Sequence, residues 1–413
     1  MSSLVSTQNL VEAPFIIAKI GKYVFGHCQR TRINEFANKL NLYPNFMESL
    51  NITKVNGAIN TYTLSMVYAI TEQDDPNYLE KVFSSISNSR TIYLTYGDWN
   101  APEYIYKEEQ ALIKKLSTKV NLQQSSITYT LECVSTSVAL TAASFPFAAQ
   151  KAKPSDVLKD LLSNQNYGLT NIFKGMKNMS DIDLASCIPG DDQKVQLEAK
   201  ECTILDYISY VVACMVHVQD DPSSNLKKSC YFWSTYDDTS NKYGGSYFKV
   251  VRVAANTCTQ ISYNTYEIDV GHPTAEFVTD FTVNNDDSWA LLYNYVEESA
   301  LPTSAYVIDN KGNVVTTPTS PALISRRTLT PNEASKNWWS LMTQFPITAT
   351  LTIKGLLRPA ILMSYVKVNT YFYGHKHTSS GLYIITKQQD LINDSGYRTT
   401  LSLTRIGGDE YYV

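Results

Sequence analysis

The chain is short of charge, of long apolar runs and of paired cysteines, and each shortage removes a class of function. Charged residues make up 18% of its 413 positions and the formal net charge is −4. With an isoelectric point near 5.8, it has no basic footprint of the kind that binds nucleic acid or an anionic membrane. No uninterrupted apolar stretch reaches the ~18 residues a membrane-spanning helix needs, so no membrane segment is expected. The opening residues, MSSLVSTQNLVEAPF, lack the basic start and long apolar centre of a secretory signal. Seven scattered cysteines without a CxxC point to thiols in a reducing cytosol and not to a disulfide framework.

Catalytic signatures are missing too. There is no GxSxG, no HExxH and no cysteine-nucleophile signature. His375 and His377 would share one face of a strand, but no third ligand stands at a recognisable spacing, so a loop or interface role is expected. Five Asp-Asp pairs (74–75, 191–192, 220–221, 237–238 and 286–287) lie outside any D-x-D-x-D-G loop, and two precede proline. They read as helix caps and turns, and Gly244-Gly245 as a turn. The expectation is therefore no catalytic, cofactor-binding or metal-binding residue and no cofactor. Glycosidase carboxylates have no spacing signature, so a cell-wall hydrolase stays open as an alternative.

What the chain has is tyrosine, 29 residues of it, and alternation. Phe15–Ala18 and Tyr23–Phe25 flank Gly21-Lys22 as a hairpin, followed by a polar loop to about Pro44. Ile52–Val55 and Ile59–Ile70 flank Asn56-Gly57, the dipeptide most diagnostic of a tight hairpin turn. Asp75-Pro76 opens a helix with Leu79, Val82, Phe83 and Ile86 on one stripe. Strands follow at Thr91–Tyr96, around Glu103–Tyr106, and as a pair over 111–134. After an Ala/Ser/Thr-rich boundary come a short helix at Val157–Leu162, an irregular segment to Asp192, and a helix capped by Thr203 and Asp206. Strands and loops occupy 229–315. A second capped helix is expected from Thr330-Pro331, carrying Trp338 on its apolar stripe and Trp339 on a face suited to a protein contact. Phe345–Ile353 then alternates strictly, and a last strand pair fills Gly381–Gly408. That pair echoes 111–134 when aligned on Ile113 and Ile385, which raises the question of one barrel-like module used twice.

NITKVNGAINTYTLSMVYAI (51–70), DDPNYLEKVFSSIS (74–87) and ITYTLECVS (127–135) carry a resemblance at one end. FPITATLTIKGLLRPAILMSYVKV (345–368) and GLYIITKQQDLINDSGYRTTLSLTRIGGD (381–409) carry it at the other. The chain resembles the baseplate hub proteins of tailed bacteriophages, including late-control-type hubs and the hub part of type VI secretion spikes. The resemblance implies an α+β, mainly β fold. It implies two tail-tube-like antiparallel β-barrels, each with an amphipathic helix, and intervening smaller domains. The expected division is a first barrel over 1–145, a mixed helical segment over 146–225 partly belonging to the second barrel, an inserted strand-rich domain over 226–330, and a second barrel over 331–413. It further implies a homotrimer in the virion tail baseplate, made in the host cytoplasm. Its partners would be a tail tube protein or distal tube adaptor, a central spike or tip protein, and tape-measure and baseplate proteins, with DNA passing through without specific binding. The other alternative is a receptor- or carbohydrate-binding tail protein, motivated by the aromatic middle. The face carrying Arg398, Thr400, Ser402 and Thr404 is the candidate channel wall.

Overall fold

The chain is α+β and mainly β. A computed structural model describes residues 14–28, 42–44, 47–69, 76–98, 106–142, 144–163, 169–220, 229–237, 241–254, 264–270, 278–285, 304–308, 314–318, 345, 347–354 and 362–407.

In the first part, β1 (Pro14–Ile20) and β2 (Tyr23–Cys28) form the hairpin expected around Gly21, and β3 (Leu42–Pro44) lies parallel beside β2. β4 (Met47–Val55) and β5 (Thr61–Ala69) flank the Asn56-Gly57 turn, where Gly57 adopts φ +69°. β4 starts earlier than the sequence pattern marks, because Met47 and Leu50 join Ile52 in the core. α1 (Pro76–Asn88) buries Val82 and Ile86 and sets Phe83 against the rings of Tyr68 and Tyr129. β6 (Thr91–Asp98), β7 (Tyr106–Asn121) and β8 (Ser126–Ser135) follow. β7 is one continuous strand where two were expected. The sheet runs β4-β5-β8-β7-β6-β1-β2 and curls until β2 touches β4, so this part is a barrel.

The middle carries β9 (Ser144–Phe147), β10 (Gln150–Ala152), α2 (Pro154–Ser163), the short α3 (Lys174–Lys177) and α4 (Asp181–Cys187), β11 (Val195–Leu197), β12 (Lys200–Thr203), α5 (Ile204–Ala213), β13 (Ser229–Tyr236) and β14 (Tyr247–Ala254). The cap on α5 is built as its sequence implies: the Asp206 N–H donates to Thr203 Oγ1 at 3.1 Å, and that hydroxyl donates to Asp206 Oδ2 at 2.8 Å. These elements have their own core, in which Leu158, Phe173, Ile208 and Val211 pack with Trp233 and Phe248. The β13–β14 hairpin faces two ways, with Tyr231 and Trp233 in this core and Cys230 and Val253 in the core of the large sheet.

β15 (Asn264–Val270), β16 (Val278–Asn285), the separate hairpin β17 (Ser304–Ile308) and β18 (Val314–Pro318), β19 (Ile347–Lys354), β20 (Tyr365–Phe372), β21 (His375–Lys376), β22 (Gly381–Asn393) and β23 (Gly396–Gly407) complete the chain. The expected 226–330 unit is divided. β13–β14 join the helical middle through shared apolar burial, whereas β15 pairs with β20 and β16 with β19 in the large sheet. The described residues from 158 to 215 in the shared core correspondingly pack with β13–β14. The helix expected from Thr330, with Trp338 and Trp339, lies outside the described residues, as does most of the 29–44 stretch.

Candidate functional site

Eight strands form one antiparallel sheet in the order β16-β19-β23-β22-β4-β5-β8-β7, four from each end of the chain. The two sets repeat each other in order across the sheet, and the repeat is sharpest in the hairpins β7–β8 and β22–β23. Each carries one extra residue, Lys114 after Ile113 and Thr386 after Ile385, so both strands bulge at the same place. Before the bulge each strand is held by a third strand, β7 by β6 and β22 by β20. Equivalent backbone bonds mark the handover: Ile113 N–H to Arg90 O at 2.9 Å, and Ile385 N–H to Ser364 O at 3.0 Å.

After the bulge the two hairpins differ. Lys387–Asn393 of β22 pair antiparallel with Val55–Ser49 of β4, which welds the two sets together. The equivalent stretch of β7, residues 115–121, has no strand partner on that edge among the described residues. At the far end, Val278–Asn284 of β16, the counterpart of β4, is bonded only to β19 among the described residues. Among the described residues the sheet therefore ends in two open edges, of the types already joined once at its centre.

One face of this sheet carries the apolar cores and the other is wet. Read across the strands, one wet row is Asp280, Thr352, Thr400, Gln389, Thr53, Thr61 and Val134. A neighbouring row is Lys354, Arg398, Leu391, Asn51, Thr63, Glu132 and Lys115, whose last two members pair at 3.0 Å. Hydroxyl and amide side chains dominate, and the charges are of both signs. Arg398, Thr400, Ser402 and Thr404 sit within this face, continuous with Thr348, Thr350 and Thr352 on β19.

Beneath the wet face, at the seam, the core face holds charge. Lys54 pairs with Glu109 and also donates to Tyr96 Oη at 3.1 Å. Asp390 accepts from Gln388 Nε2 at 2.7 Å and Thr399 Oγ1 at 2.6 Å. Asp237, just beyond β13, accepts from Asn60 Nδ2 at 2.6 Å and from Tyr62 Oη at 3.4 Å. Burial, opposed by these donors and by Lys54, pushes each of Asp237 and Asp390 up to about 6. Burial, reinforced by Glu109 and Asp237, holds the Tyr62 phenol well above its ordinary range. Sequence reasoning missed this cluster. Its signal was a lysine and an aspartate in phase with apolar rows, Lys54 after Leu50 and Ile52, and Asp390 before Ile392.

The singled-out residues fall elsewhere. His377 Nδ1 lies 2.9 Å from Ser379 Oγ and its ring meets Phe372, while His375 pairs with Phe372 in the short β20–β21 ladder. No metal-type cluster of three ligands occurs among the described residues. Asp192 caps α2 by accepting the Ser155 N–H at 2.8 Å and the Ser155 hydroxyl. Asp191 accepts from Tyr231 Oη and Arg252 Nε, both at 3.2 Å, and Asp220 from Ser229 N–H at 3.4 Å. Asp237 departs from the capping expectation by lying in the buried cluster. Gly244 is in a turn at φ +69°, and residues 74–75, 221, 238 and 286–287 lie outside the described residues.

No protein-family profile and no curated protein sequence matches the chain. Among solved structures it is similar to the 43 kDa tail protein of prophage MuSo2 from Shewanella oneidensis, with 10% identity, 95% of this chain and 98% of that chain covered, and a TM-score of 0.47. A tail protein from Neisseria meningitidis MC58 is similar at 11% identity, with coverages of 95% and 96% and a TM-score of 0.48. So is the E. coli c3393 protein, described as a component of the type VI secretion system, at 8% identity, coverages of 89% and 74%, and a TM-score of 0.43.

Proposed function

We propose that this chain is a structural tail protein that acts as a hub. Three copies close into a ring of six tube-like modules, which joins a six-fold tail tube to a three-fold spike or tip and surrounds a DNA exit channel. The observation that carries this role is the seam between β22 and β4. It is a working example, inside one chain, of the contact that the open edge of β7 and the open edge of β16 would make between copies. Eight alternating antiparallel strands leave those two edges running in opposite directions, so head-to-tail addition continues the antiparallel pattern and closes where the rotation allows.

Size is compatible with three copies. At roughly 4.8 Å per strand, each chain's eight strands supply about 38 Å of arc. With strands along the axis three copies close at ~37 Å between backbones, or roughly 27 Å once side chains reach ~5 Å inward, and the strand tilt of a closed barrel widens the bore further. Duplex DNA has major grooves ~8.5 Å deep, so it needs a bore of at least roughly 17 Å. The wet face suits passage, because hydroxyls and amides dominate it and its cations, Lys354, Arg398 and Lys115, stand among neutral groups and the carboxylates Glu132 and Asp280, Lys115 being paired with Glu132.

Electron micrographs and native mass of the protein, alone and with its tube and tip partners, test the role. Three-fold rings are expected, and a chain that stays monomeric in every mixture overturns it. Ser117→Pro and Thr118→Pro make a paired control. Neighbouring residues of a strand point their N–H groups to opposite sides, so one variant strikes the bond to β8 and the other only the open edge. The edge variant should fold and fail to assemble. Clearing of host peptidoglycan in a zymogram would favour the hydrolase alternative instead.

A further inference from the structure

Asp237 and Asn60 meet where the middle of the chain touches the first barrel, and their hydrogen bonding is incomplete in a specific way. Asn60 Nδ2 donates to Asp237 Oδ2 at 2.6 Å. The remaining oxygens of the pair, Asn60 Oδ1 and Asp237 Oδ1, are both buried, and neither has a hydrogen-bond partner among the described residues. Both are acceptors when the carboxyl is ionised, so the pair lacks one donor. A proton on Asp237 supplies it, since a carboxylic acid and a primary amide complement each other with one O–H···O and one N–H···O bond.

The surroundings favour a neutral carboxyl. The groups facing Asp237 are Lys54 on β4, Tyr62 on β5, Glu109 on β7 and, sharing the same cation, Asp390 on β22. One buried lysine thus stands among three buried carboxyls, with Glu109 bound to it directly. Ionising all three would leave uncompensated negative charge in the core, which is strongly unfavourable. Tyr62 is held protonated, and the Cys133 thiol opposite it on β8 is pushed by burial up to about 12, so neither supplies a further charge.

We propose that Asp237 and Asn60 form a proton-dependent clasp between the middle of the chain and the first barrel. A proton on the Asp237 carboxyl closes the acid–amide pair, and its loss at rising pH loosens the end of β13. The neighbouring backbone bond from Gly57 N–H to Trp233 O, at 2.9 Å, contains no titratable group and keeps the rest of β13 in place. The transition is therefore local and centred near pH 6, where burial has moved the carboxyl.

Infrared spectra of the full-length protein in heavy water, recorded from pH 5 to pH 8, test this through the C=O stretch of a protonated carboxyl. Wild type should show the band at pH 5 and lose it as pH rises through about 6, as the buried acid titrates. Asp390→Asn should leave one component and Asp237→Asn should remove it. Asp237→Asn keeps the amide-type complementarity without the proton, so hydrogen exchange of residues 234–237 should become independent of pH after correction for intrinsic rates. A band unchanged by Asp237→Asn, or wild-type exchange at 234–237 that shows no corrected change between pH 5 and pH 8, overturns the clasp. The exchange measurement needs only wild type and stands even where the variant does not fold.

Discussion

Lys54 and Gln388 stand directly opposite each other across the seam between β4 and β22. Lys54 comes from the first barrel and Gln388 from the strand that ends the chain's second set, and both side chains point into the core. The cation is tied to Glu109 on β7, while Gln388 holds Asp390. Each half thus offers the other a polar group already occupied at home, which lets two apolar faces meet without an unpaired buried charge.

Lys54→Met should accordingly be one of the most damaging single changes at the seam. It strands Glu109 and removes the cation that also faces Asp237 and Asp390. A loss of about 3–5 kcal/mol is expected from denaturant unfolding. Because burial raises the two aspartates, they bind protons in the folded state that the unfolded chain has already released between about pH 4 and pH 6. Stability from these groups is therefore greatest at the acid end of that window and falls as pH rises through it. The Lys54→Met loss should be smaller at pH 5 than at pH 8, and an equal loss at both would show that the carboxyls do not sense the lysine.

Two glycines set how closely α3 approaches the turn before β14. A methyl group on Gly175 would sit 2.6 Å from Gly245 O, and one on Gly245 would sit 2.9 Å from Gly175 N. The partner atoms are backbone and cannot swing aside, and the same contact carries the Gly175 N–H to Ser246 O bond at 2.9 Å. Gly175→Ala should destabilise by about 1–3 kcal/mol through overpacking. Thermal unfolding checks this, and a shift no larger than that of a surface alanine would mean the turn yields.

The β-strands, the capped α5 and the echo between 111–134 and the final hairpin were legible because each has a local signal. Ile113 and Ile385, the residues on which the echo aligns, are the last before the two bulges, so a weak sequence similarity fell on a real structural landmark. The partner of each strand was not legible. Nothing in Lys387–Asn393 says that β4, more than three hundred residues earlier, will lie beside it. The division of 226–330 was hidden for the same reason, since β14 and β15 are both plain alternating strands and only tertiary pairing sends them to different cores. The clasp at Asp237 was hidden because an Asp-Asp pair in sequence does not reveal how deep its members lie.

Small polar contacts on the middle segment should separate by burial and geometry. Thr203→Ala removes the side-chain acceptor for the Asp206 N–H and should cost about 1 kcal/mol. Lys242→Ala breaks a 2.8 Å bond to Asp183, yet Lys242 lies at the surface. Its effect on the unfolding midpoint should be small and should vanish at high salt. A larger, salt-insensitive effect for Lys242 than for Thr203 would contradict this order.

The wet face offers the most direct test of the channel. Thr53, Gln389 and Thr400 form three consecutive members of one row, crossing from β4 over the seam to β23. Replacing each with lysine leaves the buried face untouched and adds nine cations to a ring of three chains, so fold and assembly should persist. If this face lines a DNA exit channel, the charged ring should retain nucleic acid that the wild-type ring releases. The retention should weaken steeply with salt, with a slope near −0.9 per phosphate engaged. Particles carrying the variant should adsorb to hosts normally and eject DNA more slowly, and the neutral changes Thr53→Asn, Gln389→Asn and Thr400→Asn should do neither. Should the lysine ring form without gaining affinity for DNA at low salt, the face is covered by another part of the assembly and the channel lies elsewhere.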